Sequence, residues 1–408
     1  MRLVLIISDF GAFNNFLAEL ASTIAQDNRY TLHIICSKNK VIDIKDKELF
    51  GKQNINFHFI DIPRTISLIG QLKAASKIRI LIKSIQPDLI HSHFTTATFP
   101  TILFRIRKYP YWSTIHGLGM NSSKGFKKIF FTIVETICFL RLDKIFVVNN
   151  QDYNLVNKFF SKKLTKYRCL GFGCDIDKFN PANFPDSKKG NLKNQLGIKE
   201  GIIVIAFTGR YVHFKGFNLV IKSFKILSSQ YPDKFKLILM GGLDPIHKTG
   251  LDHSGELFFN TSKDIINVGF TNDVDKYLSI TDIFLFPSKK EGLPTCILES
   301  LAMGVPVITF NARGNNDIVE NNYNGILIQP DKDANNEIAS ITNSLKQLAF
   351  NVEERNEFSE NAIKNIPKYS RNNFINEHLE YYSELSKNDS PGYYANKERK
   401  LDAFDATL

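Results

Sequence analysis

The sequence predicts an α/β protein built from two similar units with a ligand-binding cleft between them. Three observations lead to this prediction: the chain has 408 residues, short apolar runs alternate with segments of helical periodicity, and the alternation begins twice. Strands that alternate with helices form βαβ units and a parallel sheet. Because such sheets bind ligands at the carboxyl ends of their strands, functional residues are expected in the loops that follow strands.

The first half begins with a buried-strand run at Leu3–Ile7, and a glycine turn is predicted at Gly11. Apolar residues then recur at helical spacing from Phe16 to Ala25. The other strands predicted in this half are short, apolar and bounded by polar turns: Thr31–Cys36, Asp88–His91 and Ile145–Asn149.

The alternation stops at Asn180–Gly197, a segment rich in Pro, Asn, Lys and Gly, and the domain boundary is predicted there. The alternation then restarts with helices at Leu219–Leu227 and Thr295–Met303. The strands predicted in this half are Ile202–Phe207, Phe235–Met240, Ile283–Pro287 and Val305–Thr309.

Four segments follow from this pattern. Residues 1–185 form an N-terminal domain and residues 186–370 a C-terminal domain. Residues 371–386 carry aromatic side chains at helical spacing, so this helix is expected to dock back on the first domain. Residues 387–408 are polar without periodicity and are expected to form a mobile tail.

Composition excludes several protein classes. Apolar residues make up 43% of the chain and charged residues 23%, which is typical of a globular protein. No apolar run reaches the roughly 18 residues that cross a bilayer, since Glu135 interrupts Ile129–Leu140, and no signal peptide is recognisable. A cytoplasmic protein is therefore predicted. The five cysteines lack Cys-x-x-Cys spacing, so they are interpreted as reduced thiols at buried positions rather than zinc ligands: Cys36, Cys138, Cys169, Cys174 and Cys296.

The net charge of +11 is unevenly distributed. Residues 101–170 contain 13 Lys and Arg residues and three acidic residues, a net charge of +10. Such a block is either a solvated face or a surface that binds an anionic membrane or nucleic acid. Because no nucleic-acid recognition motif accompanies it, no nucleic-acid partner is predicted. Lys124, Lys127 and Lys128 directly precede Ile129–Leu140, which favours an anionic membrane surface, with a core helix and solvated lysines as the alternative.

A loop between a strand and a helix predicts an anion site at residues 287–299. The strand ends at Pro287, the helix begins near Thr295, and the N-terminus of a helix attracts anions such as a diphosphate. Glu291 and Glu299 lie nearby, where carboxylates suit the hydroxyl groups of a sugar nucleotide. Alternatively, Glu291 caps the helix and Glu299 is a surface residue.

A second loop contains two basic residues that are expected at the same edge of the sheet, where its strands have their carboxyl ends. Arg210 and Lys215 lie between Gly209 and Gly216, after the predicted strand Ile202–Phe207. Arginine and lysine with flanking glycines suit a diphosphate, and arginine can bind it with two hydrogen bonds. Solvated loop cations are the alternative.

Taken together, these segments resemble bacterial glycosyltransferases of family 4, over about residues 1–385. The resemblance implies two facing Rossmann-like domains with an interdomain cleft, the GT-B fold. It rests on the order and spacing of several short motifs: Glu291-x7-Glu299, Gly209-Arg210…Lys215-Gly216, Gly269-Phe270…Asp273-Val274, Asp282…Pro287-Ser288, Gly314…Asn324-Gly325, His91-Ser92-His93, Thr114-Ile115-His116-Gly117, Asn149-Asn150…Asp152 and Gly171…Asp175…Lys178-Phe179.

The resemblance implies a role for each matching residue. Arg210 and Lys215 would hold the donor diphosphate, Glu299 would bind the ribose, and Glu291 and His116 would be the catalytic residues that meet the donor sugar. Gly11 would let the first loop approach the phosphates. The remaining donor-binding residues surround the helix N-terminus: Gly292, Leu293, Pro294 and Thr295. Family members retain the anomeric configuration, and stabilising the departing diphosphate is their main task.

Two other features resemble functional motifs. Asp273-Val274-Asp275 matches a metal-binding Asp-x-Asp, but it is interpreted as the cap and first turn of a helix, so no metal or other cofactor is predicted. His91 and His93 are predicted to face opposite sides of a strand, one lining the cleft or both being structural.

The predicted function is a retaining hexosyltransferase of bacterial surface-polysaccharide synthesis, of the capsule or O-antigen type. Its predicted partners are a nucleotide-sugar donor, with UDP as the family's usual nucleotide, and a lipid-linked saccharide acceptor at the inner face of the plasma membrane. The alternatives are a nucleotide-sugar epimerase of the same fold and a non-catalytic module of polysaccharide assembly.

Overall fold

Two parallel sheets organise the chain in the computed structural model, which describes residues 1–38, 55–63, 67–167 and 171–387. These described residues form two compact units, the first within the ranges 1–148, 152–168 and 374–408 and the second within 149–151 and 169–373. Cys169 and all but the first residue of the predicted tail, residues 387–408, lie outside the described residues.

The sheet of the first unit has seven parallel strands in the order β3-β2-β1-β4-β5-β6-β7. Strands β3, β5 and β7 were not predicted. The strands are β1 (Arg2–Asp9), β2 (Thr31–Ser37), β3 (Ile55–Phe59), β4 (Leu89–His93), β5 (Tyr111–Ile115), β6 (Lys144–Val147) and β7 (Leu164–Lys166).

Helices cover the sheet of the first unit, and the predicted glycine turn at Gly11 is wrong. Asp9 caps α1 by accepting a hydrogen bond from the amide of Ala12, so Gly11 lies in the first turn of a helix. The predicted helix from Phe16 to Ala25 is broken at Leu17. The helices are α1 (Phe10–Phe16), α2 (Ala18–Gln26), α3 (Leu68–Ile85), α4 (Thr95–Leu103), α5 (Gly119–Ser122), α6 (Gly125–Arg141) and α7 (Asn150–Phe160).

The sheet of the second unit has six parallel strands in the order β10-β9-β8-β11-β12-β13. With the first sheet, it confirms the predicted α/β class with two Rossmann-like domains. The strands are β8 (Ile203–Tyr211), β9 (Phe235–Leu243), β10 (Ile265–Gly269), β11 (Ile283–Phe286), β12 (Val307–Phe310) and β13 (Gly325–Ile328).

Residues 171–185, which were predicted in the first domain, belong to the second unit. The amide of Cys174 donates to the carbonyl of Tyr369 and the amide of Arg371 donates to the carbonyl of Cys174, and both partners belong to this unit. The break in periodicity near residue 186 reflects a polar helix rather than a linker. The helices are α8 (Asp186–Gln195), α9 (Phe217–Gln230), α10 (His253–Thr261), α11 (Val274–Leu278), α12 (Thr295–Ala302), α13 (Ala334–Phe350) and α14 (Val352–Asn365).

The last helix, α15 (Arg371–Lys387), belongs to the first unit from Phe374 onward. The hydroxyl of Tyr382 lies 2.8 Å from Nδ1 of His91, and Nε2 of His378 lies 2.8 Å from the hydroxyl of Tyr167. These buried polar contacts attach the helix to the sheet.

Each unit has its own apolar core between sheet and helices, with Val4, Ile90 and Ile145 in the first and Phe207 and Leu298 in the second. Burying aliphatic side chains on both faces of a parallel sheet explains why its central strands are recognisable as apolar runs. Within the described ranges, every helix is too short or too polar to cross a bilayer.

Candidate functional site

The loops that follow β8 and β11 touch at the carboxyl edge of the second unit's sheet. The two strands are hydrogen-bonded neighbours. Gly216 of the loop after β8 has φ +76, and a Cβ atom there would collide with the carbonyl oxygen of Pro287 in the loop after β11. Glycine therefore permits the contact, and the two sequence segments predicted to bind a diphosphate form one site.

Lys215 and Glu291 form a hydrogen-bonded ion pair in this site. The Nζ atom of Lys215 lies 2.6 Å and 2.8 Å from the two carboxylate oxygens of Glu291. The hydroxyl of Ser288 donates to the same carboxylate at 2.5 Å. Because 21% of the lysine and 10% of the glutamate side chain is exposed, the pair is largely but not completely withdrawn from water.

Arg210 is paired with a carboxylate that was not predicted. Its guanidinium donates to Asp244 at 2.6 Å and lies 5.3 Å from the ring centre of Phe214. Asp244 also accepts hydrogen bonds from the amides of Ile246 and His247, and these bonds together hold its pKa well below the usual value. Asp244 follows β9, the strand beside β8. Its position directly after a predicted strand was the feature of the sequence that could have identified it as a site residue.

Helix α12 begins at Thr295, as predicted, and its N-terminus is not capped by a side chain. Pro294 occupies the capping position without a side-chain hydrogen bond, and the first turn contains no acidic residue. The alternative role of Glu291 as a cap is therefore wrong. An uncapped helix N-terminus leaves amide groups and a positive dipole end to an anion.

Neighbouring loops fix the segment before α12. The guanidinium of Arg313 donates to the carbonyl of Glu291 at 2.9 Å. A Cβ atom on Gly314 would crowd the carbonyl of Gly292, and one on Gly171 would collide with the side chain of Leu293. The backbone of Gly292 and Leu293 is thus held closely from two sides.

Glu299 lies on α12 and is half-buried, so it is not the surface residue of the alternative interpretation. Burial raises the pKa of its carboxyl to about 7, against the opposing effect of Arg371 and Lys178. Asp275 raises this pKa further. A carboxyl with this pKa changes its protonation state near neutral pH.

The Asp-x-Asp segment lies at the start of α11. Asp273 occupies the capping position, but its side chain makes no capping hydrogen bond, which corrects the predicted cap. Asp275 is in the first turn, as predicted, and lies 4.0 Å from Nζ of Lys178. Among the described residues, no three His, Cys, Asp or Glu side chains cluster in a way that could hold a metal ion.

In the first unit, His116 follows β5 and pairs with His93, the last residue of β4. Their ring nitrogens lie 3.2 Å apart and the rings stack at 5.5 Å. The prediction that His91 and His93 face opposite sides is wrong, because residues two apart on a strand share a face. Their rings stack at 4.5 Å, and both are buried.

Burial lowers the pKa of each of these histidines. His91, His93 and His116 have pKa values well below the usual 6.5, further depressed by neighbouring imidazoles. The pKa of His378 falls to about 4. The row of imidazoles is therefore neutral at physiological pH.

The cysteine predictions are confirmed in part. Cys36, Cys138 and Cys174 are buried free thiols, and Cys296 is a half-buried one.

Comparison with known proteins matches both units. Residues 4–149 match the family "Glycosyl transferase 4-like", and residues 188–365 match "Glycosyl transferases group 1". The chain is 27% identical over 357 residues to UDP-Gal:alpha-D-GlcNAc-diphosphoundecaprenol alpha-1,3-galactosyltransferase of Escherichia coli, covering 86% of each chain. It is also 27% identical to the capsular polysaccharide biosynthesis glycosyltransferase CapM of Staphylococcus aureus, covering 86% of this chain and 88% of CapM. The crystal structure of Anabaena Alr3699/HepE in complex with UDP superposes with a TM-score of 0.73 at 17% identity, covering 94% of this chain and all of HepE.

Proposed function

Because this chain belongs to the GT-B glycosyltransferases that join a 4-like domain to a group 1 domain, we propose that it transfers a hexose from a UDP-sugar to a lipid-linked saccharide. The observation that carries this proposal is the Lys215–Glu291 pair beside the uncapped N-terminus of α12. The relatives named above, a galactosyltransferase acting on a diphosphoundecaprenol-linked sugar and a capsule enzyme, support this substrate class and bacterial surface-polysaccharide synthesis.

The site supplies charge where a glycosyl transfer needs it. When the bond from the anomeric carbon to the diphosphate breaks, negative charge develops on the leaving phosphate oxygens. Arg210 and Lys215 stabilise that charge, and the free amides at the start of α12 add to it. We assign Glu291 to the donor sugar, since its carboxylate is oriented by Lys215 and Ser288.

The other assignments follow from the site's chemistry and the resemblance. Glu299 accepts hydrogen bonds from the ribose hydroxyls, His116 contacts the donor sugar, and Gly11 admits the phosphates close to the backbone. The acceptor hydroxyl attacks on the face that the diphosphate leaves, and the configuration is retained. The leaving phosphate takes the acceptor proton, so neither a protein base nor a metal is required.

Helix α6 supports an anionic membrane surface as the place of reaction, at the inner face of the membrane. Glu135 points inward and is fully buried, so the outer face carries no acid. Lys124, Lys127 and Lys128 surround its first turn. Its outward apolar residues, spaced as on one face of a helix, are exposed: Phe126, Ile129, Ile133 and Leu140. A core helix would bury these side chains.

Liposome flotation tests the membrane surface. We expect the protein to float with anionic vesicles at low salt, to be released by high salt, and to float less after Lys124, Lys127 and Lys128 are replaced by serine. The matched control removes the same charge from the polar helix α8, at Lys188, Lys189 and Lys193, and should float normally. Protein that ignores anionic vesicles at low salt would contradict the membrane proposal.

Transfer of radiolabelled sugar from a panel of UDP- and GDP-sugars to a diphosphoundecaprenol-linked sugar tests the reaction. Glu291→Gln should lower kcat most, because Glu291 meets the reacting sugar. Epimerisation of the donor without acceptor would favour the epimerase, and donor binding without turnover would favour the assembly module.

A further inference from the structure

Glu135 is a buried carboxylate that the proposed reaction does not use. It lies on the inward face of α6 and is fully shielded from solvent. Burial raises the pKa of its carboxyl, while the hydrogen bonds that it accepts act in the opposite direction. A buried carboxylate is costly unless it is hydrogen-bonded, so Glu135 requires donors from the elements packed around it.

The partners of Glu135 lie at the starts of the helices that follow two neighbouring strands. The hydroxyl of Thr95, which follows β4, donates to its Oε1 atom at 3.0 Å. The amides of Gly119 and Met120, which follow β5, donate to Oε1 at 2.7 Å and to Oε2 at 3.0 Å. One carboxylate therefore connects the first residues of α4 and α5, which directly follow the β4–α4 loop and the β5–α5 loop.

A second buried carboxylate extends this arrangement. Asp152 of α7 accepts the amide of Leu118 at 3.0 Å and the side-chain amide of Asn121 at 3.0 Å. Three consecutive amides, those of residues 118–120, thus donate to carboxylates within the first unit. The segment that begins two residues after His116 is fixed by charge-assisted hydrogen bonds.

The two connected loops hold the aromatic side chains around His116. Phe94 precedes Thr95, and its ring centre lies 4.3 Å from that of His116. Phe94 has φ +68, a strained conformation for a bulky residue that persists only where the surroundings enforce it. Thr95 directly follows Phe94 and is bound to Glu135. The carboxylate therefore restrains the backbone next to Phe94 and, through it, the contact between Phe94 and His116.

We propose that Glu135 is a positioning residue that sets the orientation of the His116 imidazole by joining the two loops. The inference rests on the proposed function only for the role of His116 in transfer. Under this proposal Glu135 raises the rate of turnover although it touches no substrate.

The test compares Glu135→Gln with a matched control. Glutamine replaces one accepting oxygen by an NH₂ group, which would face an amide donor. Asp143→Asn is the control, because Asp143 accepts the amide of Tyr111 at 2.8 Å and binds Arg105, at the opposite end of β5. Thr95→Val, which removes only the hydroxyl contact between the loops, is the second variant if Glu135→Gln does not fold.

The first readout is NMR of ¹⁵N-labelled histidines, with the His116 signals assigned from His116→Gln. We expect Glu135→Gln and Thr95→Val to move those signals and Asp143→Asn to leave them unchanged. This measurement does not depend on the reaction. Unmoved His116 signals in both test variants would overturn the inference even if the proposed function holds.

The second readout is transfer kinetics. A misplaced contact costs up to about 100-fold in rate, so Glu135→Gln should lower kcat by about 10- to 100-fold with an unchanged donor KM. The combination with His116→Ala should be no slower than His116→Ala alone. Where His116→Ala itself slows transfer, additive losses in the double variant, or a kcat of Glu135→Gln unchanged from that of the wild type, would overturn the inference. If His116→Ala itself transfers normally, the assigned role of His116 is wrong, and the NMR result alone decides the positioning.

Discussion

Replacing Lys215 by methionine separates its contribution to stability from its contribution to donor binding. Methionine keeps an unbranched apolar side chain in place of the lysine stem, whose Nζ lies 5.4 Å from the ring centre of Phe286. The substitution removes the two hydrogen bonds to Glu291. Glu291 then keeps only the hydroxyl of Ser288 among the side-chain donors described above.

The magnitude follows from how far the pair is buried. Removing one partner of a fully buried ion pair costs about 3–5 kcal/mol of unfolding free energy. Glu291 keeps one donor and 10% of its side chain stays exposed, so we expect a smaller loss of about 2–3 kcal/mol. Glu291→Gln should cost less, and the double variant should lose less than the sum, with a coupling of about 1 kcal/mol or more.

The assay uses the single tryptophan of the chain. Trp112 lies in the first unit, so its fluorescence reports unfolding there, whereas circular dichroism follows both units. Lys215→Met should shift the circular-dichroism transition in urea and leave the Trp112 transition in place. In the same preparation, kcat/KM for the donor should fall by about 10- to 150-fold, the value of one charge-assisted contact.

Two results would refute this reasoning. A donor kcat/KM unchanged from that of the wild type in Lys215→Met would show that the lysine serves only the Glu291 pair. Stability losses that add fully in the double variant would show that the two side chains are not coupled.

Four further outcomes are expected. Arg210→Ala should lower kcat/KM for the donor by about 10- to 150-fold, measured by transfer rate; an unchanged value would remove Arg210 from the site. Transfer should survive EDTA and Asp273→Asn; loss restored by Mn²⁺ would mean that a metal takes part. Because the pKa of Glu299 is about 7, donor KM should fall as pH rises from 6 to 8 and be flat in Glu299→Gln; equal slopes would contradict the ribose assignment. The folded pKa of His378, about 4, lies below the unfolded value, so stability is present above pH 6.5 and is lost as pH falls toward 4. His378 should contribute about 1.4 kcal/mol per pH unit to the pH slope of the unfolding free energy measured at Trp112, beside the contributions of the other buried histidines of this unit. His378→Gln should reduce the slope by that amount, and an unchanged slope would contradict the prediction.

The central strands were predictable and the edge strands were not. The β1 and β11 strands are apolar runs because both of their faces are buried. Three of the four edge strands in the described part of the chain, β3, β7 and β10, are partly exposed and carry polar residues, so they lack that pattern. The fourth edge strand, β13, was not predicted either, although its four residues are apolar and mostly buried. Strand β5 is fully buried but contains Ser113 and Thr114, whose hydroxyls are hydrogen-bonded in the core. Its apolar run is therefore interrupted for reasons that only the tertiary structure supplies.

The pairing of Lys215 with Glu291 depends on sheet order. The two residues are 76 positions apart, and each was assigned to a site from its own loop. In the sheet, β9 lies on one side of β8 and β11 lies on the other. The loops after β8 and β11 are therefore neighbours, and this brings the two residues together. Strand order reverses at this point, where open α/β sheets bind ligands. Asp244 follows β9, the other neighbour of β8, and so lies at the same edge of the sheet as Arg210.

The helical periodicity around Glu135 predicts its burial but not the identity of its hydrogen-bond partners. It precedes Cys138 by three residues and Phe139 by four, and all three are buried on the inward face of α6. A carboxylate at such a position requires hydrogen-bond donors, so its burial and its need for partners were implicit in the helical periodicity. The donors lie 15, 16 and 40 residues away, at helix starts that the parallel pairing of β4 and β5 brings together. The periodicity thus implies that Glu135 has partners, and the topology determines that those partners are the loops flanking His93 and His116.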